Sequence, residues 1–496
     1  MKRRTPLYRN LLSYIGFTGA ALVLVCGIIL IIADAVMPDT NPYNALVTYL
    51  FIPMFITAGL AFGLLGVFRE WRRRKRGDSR EAHLPVIDFN QANTRRRLLW
   101  VSVSLAVFFS VSVIGMYRAF VFTESVAFCG TICHEIMDPE FTAYQYSPHA
   151  RVACVECHIG EGADWYVRSK LSGLRQVYRT LLNSYELPIE VPIRNLRPAR
   201  ETCEQCHWPE QFVGSTERVQ WHFWRDEAST PARYNIWMKV GGIRREAQTA
   251  HGIHWHISPW HTVRYWARDD QRLVIPWVEV TGPDGEIQIY QGDGVPEGGP
   301  PPGEIRTMDC IDCHNRPSHI YRPPDETVNL ALAGNRLSRE LPYIKKVAVA
   351  LLKMDFETTT AAVTAIADGI REKYPLSDTA LYTVQDIRQA ITTLTDEYRL
   401  THFPEQKVSW QTYPNHIGHR TWPGCFRCHN EALAATDGSH ISAECSQCHD
   451  FVFQGQGAEA YGPFTYQSRS FQHPGGMEDV WEGMLCTDCH TPGAEL

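Results

Sequence analysis

Three long apolar runs near the N-terminus dominate the hydrophobic pattern of the chain. Leu11 to Ala33, Ala45 to Phe68 and Leu98 to Tyr117 contain 23, 24 and 20 residues and no charge. Each run reaches the roughly 20 residues that a helix needs to cross the hydrocarbon core of a bilayer. A buried helix of a soluble protein normally keeps a polar stripe, so the pattern predicts three transmembrane helices.

Basic residues around these runs predict how the chain crosses the membrane. Segment 69–97 carries nine Arg and one Lys, whereas segment 34–44 carries neither. The positive-inside rule places the N-terminus and the basic segment in the cytoplasm, and everything after Tyr117 in the periplasm of a bacterial inner membrane. The basic start of the chain and the small residues Ala33 and Ala35 also resemble a cleavable signal. The first run exceeds the usual length of a signal core, so we expect it to be retained.

Beyond Tyr117 the hydrophobic pattern breaks into short segments. Arg272 to Val280 and Glu286 to Tyr290 alternate as strands do. Trp165 to Tyr185, Asp325 to Tyr374 and Ser377 to Leu400 have helical periodicity. The pattern predicts an α-helical membrane anchor of three spans, followed by an irregular, mainly α domain with a small β-rich insert.

The cysteines are few but strongly patterned. Fourteen of the 15 form seven pairs, and a histidine directly follows the second cysteine of every pair. The seven motifs are Cys129, Cys133 and His134; Cys154, Cys157 and His158; Cys203, Cys206 and His207; Cys310, Cys313 and His314; Cys425, Cys428 and His429; Cys445, Cys448 and His449; and Cys486, Cys489 and His490. This is the signature of c-type haem attachment, in which two thiols bond the porphyrin and the adjacent imidazole binds the iron. Structural zinc and thiol–disulfide chemistry also use cysteine pairs, but neither needs a histidine after each one.

The overall composition limits the classes of partner and the kind of fold that the chain can have. The chain has 496 residues and a formal net charge of -6, and this lack of a basic excess argues against a nucleic-acid partner. Seven haems are large apolar bodies that replace much of a protein core, so long loops are expected. Cys26, the cysteine left over, lies in the first apolar run and is expected to be a packing residue.

The other histidines supply candidate sixth ligands for the irons. Outside the motifs there are 13, of which His83 falls in the basic cytoplasmic segment. Position relative to the motifs favours His149, His254, His256, His319, His416, His419, His440 and His473. A zinc site in the cluster of His251, His254 and His256 is an alternative. In the first motif three residues separate the cysteines and Met137 follows closely, so Met137 is an alternative to His134 as axial ligand.

Residues 129–209 resemble the NapC/NirT/NrfH family of membrane-anchored quinol-dehydrogenase cytochromes. The resemblance rests on Cys129-Gly-x-x-Cys-His134-x-x-Met137-x-Pro139, Ser147-Pro-His149-Ala, Cys154-x-x-Cys-His-Ile-Gly160 and Lys170. Family members typically have four haems and one anchor helix, whereas this chain has seven motifs and three apolar runs. The complete layout is similar to the heptahaem inner-membrane cytochromes of metal-respiring bacteria.

The resemblance implies a function and a substrate site. It implies that menaquinol or ubiquinol is oxidised at the membrane, with Met137 binding the first iron and Lys170 binding quinol beside Asp138 or Asp164. Electrons would pass through the periplasmic haems to periplasmic carrier cytochromes or extracellular acceptors in anaerobic respiration. A multihaem terminal reductase, which binds its substrate at an open iron, is the alternative from another class.

The spacing of the motifs predicts five regions along the chain. We expect a membrane anchor over 1–125, a three-haem region over 126–215, a β-rich insert with the fourth haem over 216–324, a helical spacer over 325–400 and a C-terminal three-haem region over 401–496.

Overall fold

The computed structural model describes residues 6–36, 52–76, 88–132, 134–160, 163–189, 198–244, 249–376, 381–463, 465–473 and 484–490. The chain divides into two compact units. The first comprises Met1–Glu124 with His158–Tyr185, and the second Ser125–Cys157 with Glu186–Leu496. In chain order, the α-helices of the described residues are α1 (Leu11–Val36), α2 (Ile52–Lys75), α3 (Ala92–Thr123), α4 (His134–Gln145), α5 (Cys154–His158), α6 (Ala163–Leu181), α7 (Ala199–Cys203), α8 (Cys310–Cys313), α9 (Pro324–Ala333), α10 (Ile344–Leu352), α11 (Thr359–Lys373), α12 (Val384–Thr401), α13 (Cys445–Cys448) and α14 (Cys486–Cys489).

Helices α1, α2 and α3 of the first unit are each long and apolar enough to cross a membrane, which confirms the three predicted spans. Helix α3 extends beyond both ends of the apolar run from Leu98 to Tyr117. Helix α2 begins within the second run, and residues 45–51 of that run lie outside the described residues. The fourth helix of this unit, α6, covers most of the stretch predicted as helical from Trp165 to Tyr185.

Helices α1 and α2 pack closely because small residues line their contact. A Cβ atom on Gly16 would lie 2.3 Å from the backbone nitrogen of Gly63, and one on Gly59 would lie 3.0 Å from Ala20. The buried Ser13 hydroxyl donates a hydrogen bond to the Gly63 carbonyl oxygen at 3.0 Å. In a membrane, where lipid is as apolar as leucine, such close backbone approach is a main source of helix association.

We expect Gly16→Leu to disrupt the packing of α1 on α2, because the new side chain overlaps the Gly63 backbone. The midpoint of thermal inactivation of the full-length protein in detergent should fall by several degrees. Gly19→Leu is the matched control, since Gly19 lies three residues further on in α1 with nothing within 4 Å of its Cβ position. An equal loss of stability in both variants would contradict close packing at Gly16.

Two antiparallel sheets form part of the second unit. The strands are β1 (Gly214–Phe223), β2 (Pro231–Arg244), β3 (Thr249–His251), β4 (Thr262–Trp266), β5 (Trp277–Thr281), β6 (Ile287–Gln291), β7 (Arg306–Thr307), β8 (Ala434–Ala435) and β9 (His449–Gln456). One sheet has the order β1-β2-β3, with β9 also pairing with β2, and the other has the order β7-β4-β5-β6-β8. Strands β8 and β9 come from the C-terminal region, so the predicted insert over 216–324 shares both sheets with residues beyond 401.

The predicted strands and the observed ones differ mainly at their starts. The predicted strand from Arg272 to Val280 is observed only as β5, Trp277–Thr281. Pro276 directly precedes β5 and has no N–H to donate to a neighbouring strand. The second predicted strand, Glu286 to Tyr290, is observed one residue later as β6.

Helices α9 to α12 pack around the largest apolar core of the second unit. Its fully buried side chains include Leu341, Ile344, Leu352, Ile366, Ile370 and Leu394. The predicted helical stretch from Asp325 to Tyr374 is divided into three helices, because Gly334 caps the end of α9 and Pro342 cannot donate a backbone hydrogen bond. No cysteine falls between residues 324 and 401, so this core forms without any attachment motif.

The predicted fold class is confirmed: an anchor with three apolar helices is joined to a mainly helical region that contains small antiparallel sheets. The five predicted regions stay predictions.

Candidate haem-binding centre

The attachment motifs adopt a tight helical turn that brings their three reactive side chains together. In α8 and α14 the backbone N–H of the motif histidine donates to the carbonyl oxygen of the first cysteine at 2.8 Å. In the third motif the His207 N–H donates to the Cys203 carbonyl oxygen at the same distance. Two cysteines three residues apart in one helical turn lie on the same side, and the histidine follows at once. The motif can therefore present two thiols and one imidazole to a single planar group. Cys133 and the side chain of His134 in the first motif lie outside the described residues.

Five of the seven motif histidines face a second histidine ring. The pairs and their ring-centre distances are His149 and His207 at 6.1 Å, His254 and His314 at 6.4 Å, His256 and His429 at 5.8 Å, His419 and His449 at 6.1 Å, and His473 and His490 at 6.2 Å. Two imidazoles on opposite sides of one metal place their ring centres about 6 Å apart, because each metal–nitrogen bond is about 2.0 Å. The geometry of these pairs fits an iron held between the two rings.

Backbone carbonyls orient several of these imidazoles. The Nδ1 atom of His254 lies 2.8 Å from the Val240 oxygen, and that of His256 lies 3.0 Å from the Ile253 oxygen. The Nδ1 atom of His429 lies 2.8 Å from the Ser442 oxygen. A ring that donates from Nδ1 keeps the lone pair of Nε2 for a metal, so these contacts select the tautomer that can bind iron.

Burial keeps these imidazoles neutral. Desolvation lowers the pKa of His256 to about 4, with a smaller contribution from the neighbouring His429 and His254. Desolvation is also the main cause that lowers the pKa of His419 to about 4. Only a neutral imidazole can bind a metal, so the burial of these rings favours ligation.

His416 differs from the paired histidines. Its Nδ1 and Nε2 atoms lie 3.1 Å from the carbonyl oxygens of Asp312 and Gln271, and Arg427 also contacts Nδ1. With Nε2 donating to the Gln271 oxygen and Nδ1 accepting from Arg427, the ring has no lone pair free for an iron in this arrangement. These contacts do not favour His416 as a ligand, and its ligation stays a prediction from sequence position.

His319 and His440 each contact a backbone carbonyl oxygen through Nδ1. The Nδ1 atom of His319 lies 3.0 Å from the Glu140 carbonyl oxygen and 3.4 Å from the Glu140 carboxylate. The exposed His440 contacts the Glu431 carbonyl oxygen through Nδ1 at 3.1 Å. His319 has the Nδ1 contact of the paired rings and remains a candidate ligand, as does His440.

The ring pairs separate the roles of the histidines clustered at residues 251–256. His254 and His256 are separated in the chain by Trp255, and each faces a different motif histidine. Over the ranges that the structure describes, no group of three or more His, Cys, Asp or Glu side chains is arranged to hold a bare metal ion. The geometry therefore favours haem ligation over a zinc site for this cluster.

A buried network of charges joins the fourth and fifth motifs, and sequence reasoning missed it. The fully buried Asp312 carboxylate accepts hydrogen bonds from Tyr265 at 2.5 Å, Arg272 at 2.9 Å and Arg306 at 3.1 Å. Arg427 of the fifth motif donates to the Asp312 carbonyl oxygen at 2.6 Å. Asp312 and Arg427 occupy the variable positions of their motifs, where the sequence pattern gives no sign that they would be buried.

Residues around the first motif lie on and beside α4. Met137 is half-buried, and Asp138 is exposed and accepts a hydrogen bond from Thr142 at 3.3 Å. A Cβ atom on Gly130 would lie 2.2 Å from the Phe141 ring, so the space between the two cysteines of this motif requires glycine. These contacts leave Met137 as a candidate ligand of the first iron.

Lys170 in α6 forms an ion pair that the sequence did not indicate. Its ammonium contacts the Glu124 carboxylate and the Thr123 hydroxyl, the latter at 3.2 Å. Glu124 directly follows the last residue of α3. Asp164 begins the same helix as Lys170, but its side chain lies outside the described residues. Glu124 directly follows an apolar helix, and this position could have identified it from the sequence as a third candidate carboxylate of the quinol site beside Asp138 and Asp164.

Three apolar helices, the helical turns of the described attachment motifs and the facing imidazole pairs define a membrane-anchored c-type cytochrome. The family model for the NapC/NirT cytochrome c family, N-terminal region, matches residues 91–192. The cytochrome c-type protein ImcH of Geobacter sulfurreducens is 40% identical over 499 residues, which cover 99% of this chain and 97% of that protein. The chain therefore belongs to the NapC/NirT cytochrome c family and is expected to carry covalently bound haem iron.

A second relative matches a shorter part of the chain. The cytochrome c-type protein NrfH of Wolinella succinogenes is 31% identical over 78 residues, which cover 15% of this chain and 44% of that protein. No solved structure shows a significant match to the chain. The resemblance inferred from the motifs is confirmed by both relatives.

We expect Asp312→Asn to destabilise the second unit, because it leaves two guanidinium groups facing a neutral buried amide. Breaking a buried ion pair costs about 3–5 kcal/mol. Urea unfolding of the full-length protein, followed by the haem absorbance, should show a clearly lower midpoint. Asp488→Asn is the matched control, since Asp488 holds the same position in the seventh motif and is exposed. A midpoint unchanged by Asp312→Asn would contradict the structural role of this network.

Proposed function

We propose that this protein is an inner-membrane cytochrome with seven c-type haems that oxidises menaquinol or ubiquinol and passes the electrons to periplasmic or extracellular acceptors in anaerobic respiration. The observation that carries the proposal is the second imidazole facing five of the seven motif histidines. An iron with two imidazole ligands has no open position for a substrate. The pairs therefore favour electron transfer over the terminal reductase.

The residues that would hold the haems follow from the motifs and the pairs. The fourteen motif cysteines would attach the porphyrins, and the motif histidines would bind the irons. His149, His254, His256, His419 and His473 would each supply a second imidazole, at the third, fourth, fifth, sixth and seventh motifs. Bound haem supplies a one-electron carrier, and the protein supplies its ligands, orientation and surroundings.

The charges at the ends of the apolar helices support a periplasmic position for the motifs. The last turn of α2 holds Arg72, Arg73, Arg74 and Lys75, and α3 carries Arg95, Arg96 and Arg97 directly after its first three residues. These basic ends belong to consecutive spans, so they lie on one side of the membrane, which the positive-inside rule makes the cytoplasm. Residues after α3 then emerge in the periplasm, where c-type haem is attached.

The pair of Lys170 and Glu124 is the best-supported quinol site in the first unit. Glu124 follows the end of a helix that is long and apolar enough to span a membrane, which supports a position for the pair near the membrane surface. Helix α6 also exposes Leu171, Leu174 and Leu181. An apolar quinol can approach such a surface from the lipid. Lys170 Nζ would then hydrogen-bond a quinol oxygen, and the Glu124 carboxylate would accept a proton released on oxidation.

We expect Lys170→Met and Glu124→Gln each to slow reduction of the haems by menaquinol by about 10²-fold, the lower range for loss of a proton-transfer group. Arg175→Gln, an exposed change on the same helix, is the control and should retain the rate. Stopped-flow absorbance of the full-length protein in detergent measures these rates. Excess menaquinol that leaves the haems of the unmodified protein oxidised would contradict the quinol function.

His419 and His416 allow a sharp test of the ligand assignments. We expect His419→Ala to convert one haem to a high-spin state, because the sixth motif loses its second imidazole. His416→Ala should leave the spin states of the unmodified protein unchanged, since Nε2 of His416 contacts the Gln271 oxygen and Nδ1 contacts Arg427. Electron paramagnetic resonance of the oxidised protein distinguishes the states. An additional high-spin haem in the His416 variant would contradict this arrangement.

A further inference from the structure

Motifs that follow one another in the sequence are also neighbours in space. We infer that the second unit holds the cysteine pairs of the seven attachment motifs in single file, in the order of the sequence, with the first and seventh motifs at the two ends. This inference builds on the proposed function, because it gives the path along which quinol electrons would travel. Contacts between residues of the second unit support each step of the file.

Cysteines of the first and second motifs, and of the third and fourth, are close to one another. The thiols of Cys129 and Cys154 are near enough to interact, which brings the first motif to the second. The thiols of Cys203 and Cys310 are also near enough to interact, and α7 packs against α8. These contacts bring the third motif to the fourth.

A short turn connects the second motif to the third. His149, which faces His207 of the third motif, lies only five residues before Cys154. The Tyr144 hydroxyl fixes this turn by donating to the carbonyl oxygens of Ala150 at 2.8 Å and Val152 at 2.9 Å. The backbone that leads into the second motif therefore also carries the partner imidazole of the third.

The fourth and fifth motifs are linked twice. His254 faces His314 of the fourth motif and His256 faces His429 of the fifth, with one residue between them in the chain. Independently, Arg427 of the fifth motif donates to the carbonyl oxygen of Asp312 in the fourth. Both links are too short to admit another motif between these two.

The last three motifs continue the same arrangement. His419, which faces His449 of the sixth motif, stacks on Phe426 of the fifth with 4.1 Å between ring centres. Strand β9 begins at His449, and its Phe451 lies 4.9 Å from Phe471. Two residues after Phe471 comes His473, which faces the seventh motif.

One rule describes most of these steps: the partner imidazole of one motif is carried by chain that lies beside the preceding motif. His149 does this for the third motif, His256 for the fifth, His419 for the sixth and His473 for the seventh. Because electron tunnelling falls steeply with distance, such spacing favours transfer between consecutive motifs. The seventh motif is then the end from which a redox partner would take electrons.

An electron cryo-microscopy map of the full-length haem-loaded protein in detergent tests the order directly. We expect each haem to have the haems of the adjacent motifs as its nearest neighbours. A haem whose nearest neighbour belongs to a non-consecutive motif, for example the third beside the fifth, would overturn the inference. This readout does not depend on quinol oxidation, so it separates the order of the motifs from the proposed function.

Kinetics of the protein without its fourth haem provide a second test. In the variant Cys310→Ala with Cys313→Ala, menadiol should rapidly reduce three haems, and the other three should follow at least tenfold more slowly. Dithionite should reduce all six. The control, Cys486→Ala with Cys489→Ala, removes the end of the file and should show six rapidly reduced haems. Six rapid haems in the first variant would contradict a single file.

Loss of the fourth haem can also disturb folding, so a milder variant is included. His254→Ala keeps the fourth haem attached and opens its iron to carbon monoxide, which holds the reduced haem out of the relay. With carbon monoxide, only the first four haems of the variant should be reduced rapidly. Without carbon monoxide, the fifth, sixth and seventh haems should be reduced faster than they are with it. Equal traces under the two conditions would contradict the single file.

Discussion

The facing of two imidazole rings across a gap of about 6 Å is the constraint on which the second unit depends. Each pair joins segments that are distant in the chain, such as His149 with His207 or His254 with His314. Carbonyl contacts to Nδ1 orient the rings of His254 and His256. With an iron between the rings of each pair, ligation would order long loops that have little regular structure.

Different interactions stabilise the interior of each unit. In the first, glycines let α1 and α2 approach until backbone atoms touch, which suits a lipid surrounding that gives apolar side chains little reason to associate. In the second, buried ion pairs such as Asp312 with Arg272 surround the attachment turns. The pair of Lys170 and Glu124 lies at the end of α3, where a lipid-soluble donor would meet charged groups.

The sequence was sufficient for features that depend on local pattern. Apolar runs gave the three spans, and the attachment motifs stand out because histidine follows every second cysteine. Partner imidazoles were harder, because pairing depends on tertiary contacts: His416 and His419 look alike in sequence, yet only His419 faces another ring. Glu124, Asp312 and Arg427 were missed because their roles arise only when remote segments meet.

The helical core of α9 to α12 has a consequence for how the protein matures. Its buried residues pack on one another and on Phe223 of β1 without any cysteine motif, and it lies between the fourth and fifth motifs in the chain. This core can therefore form before porphyrin is joined to the flanking motifs. During maturation it would act as a folded core, and the segments on either side would pack against it as haem is attached to each of their motifs.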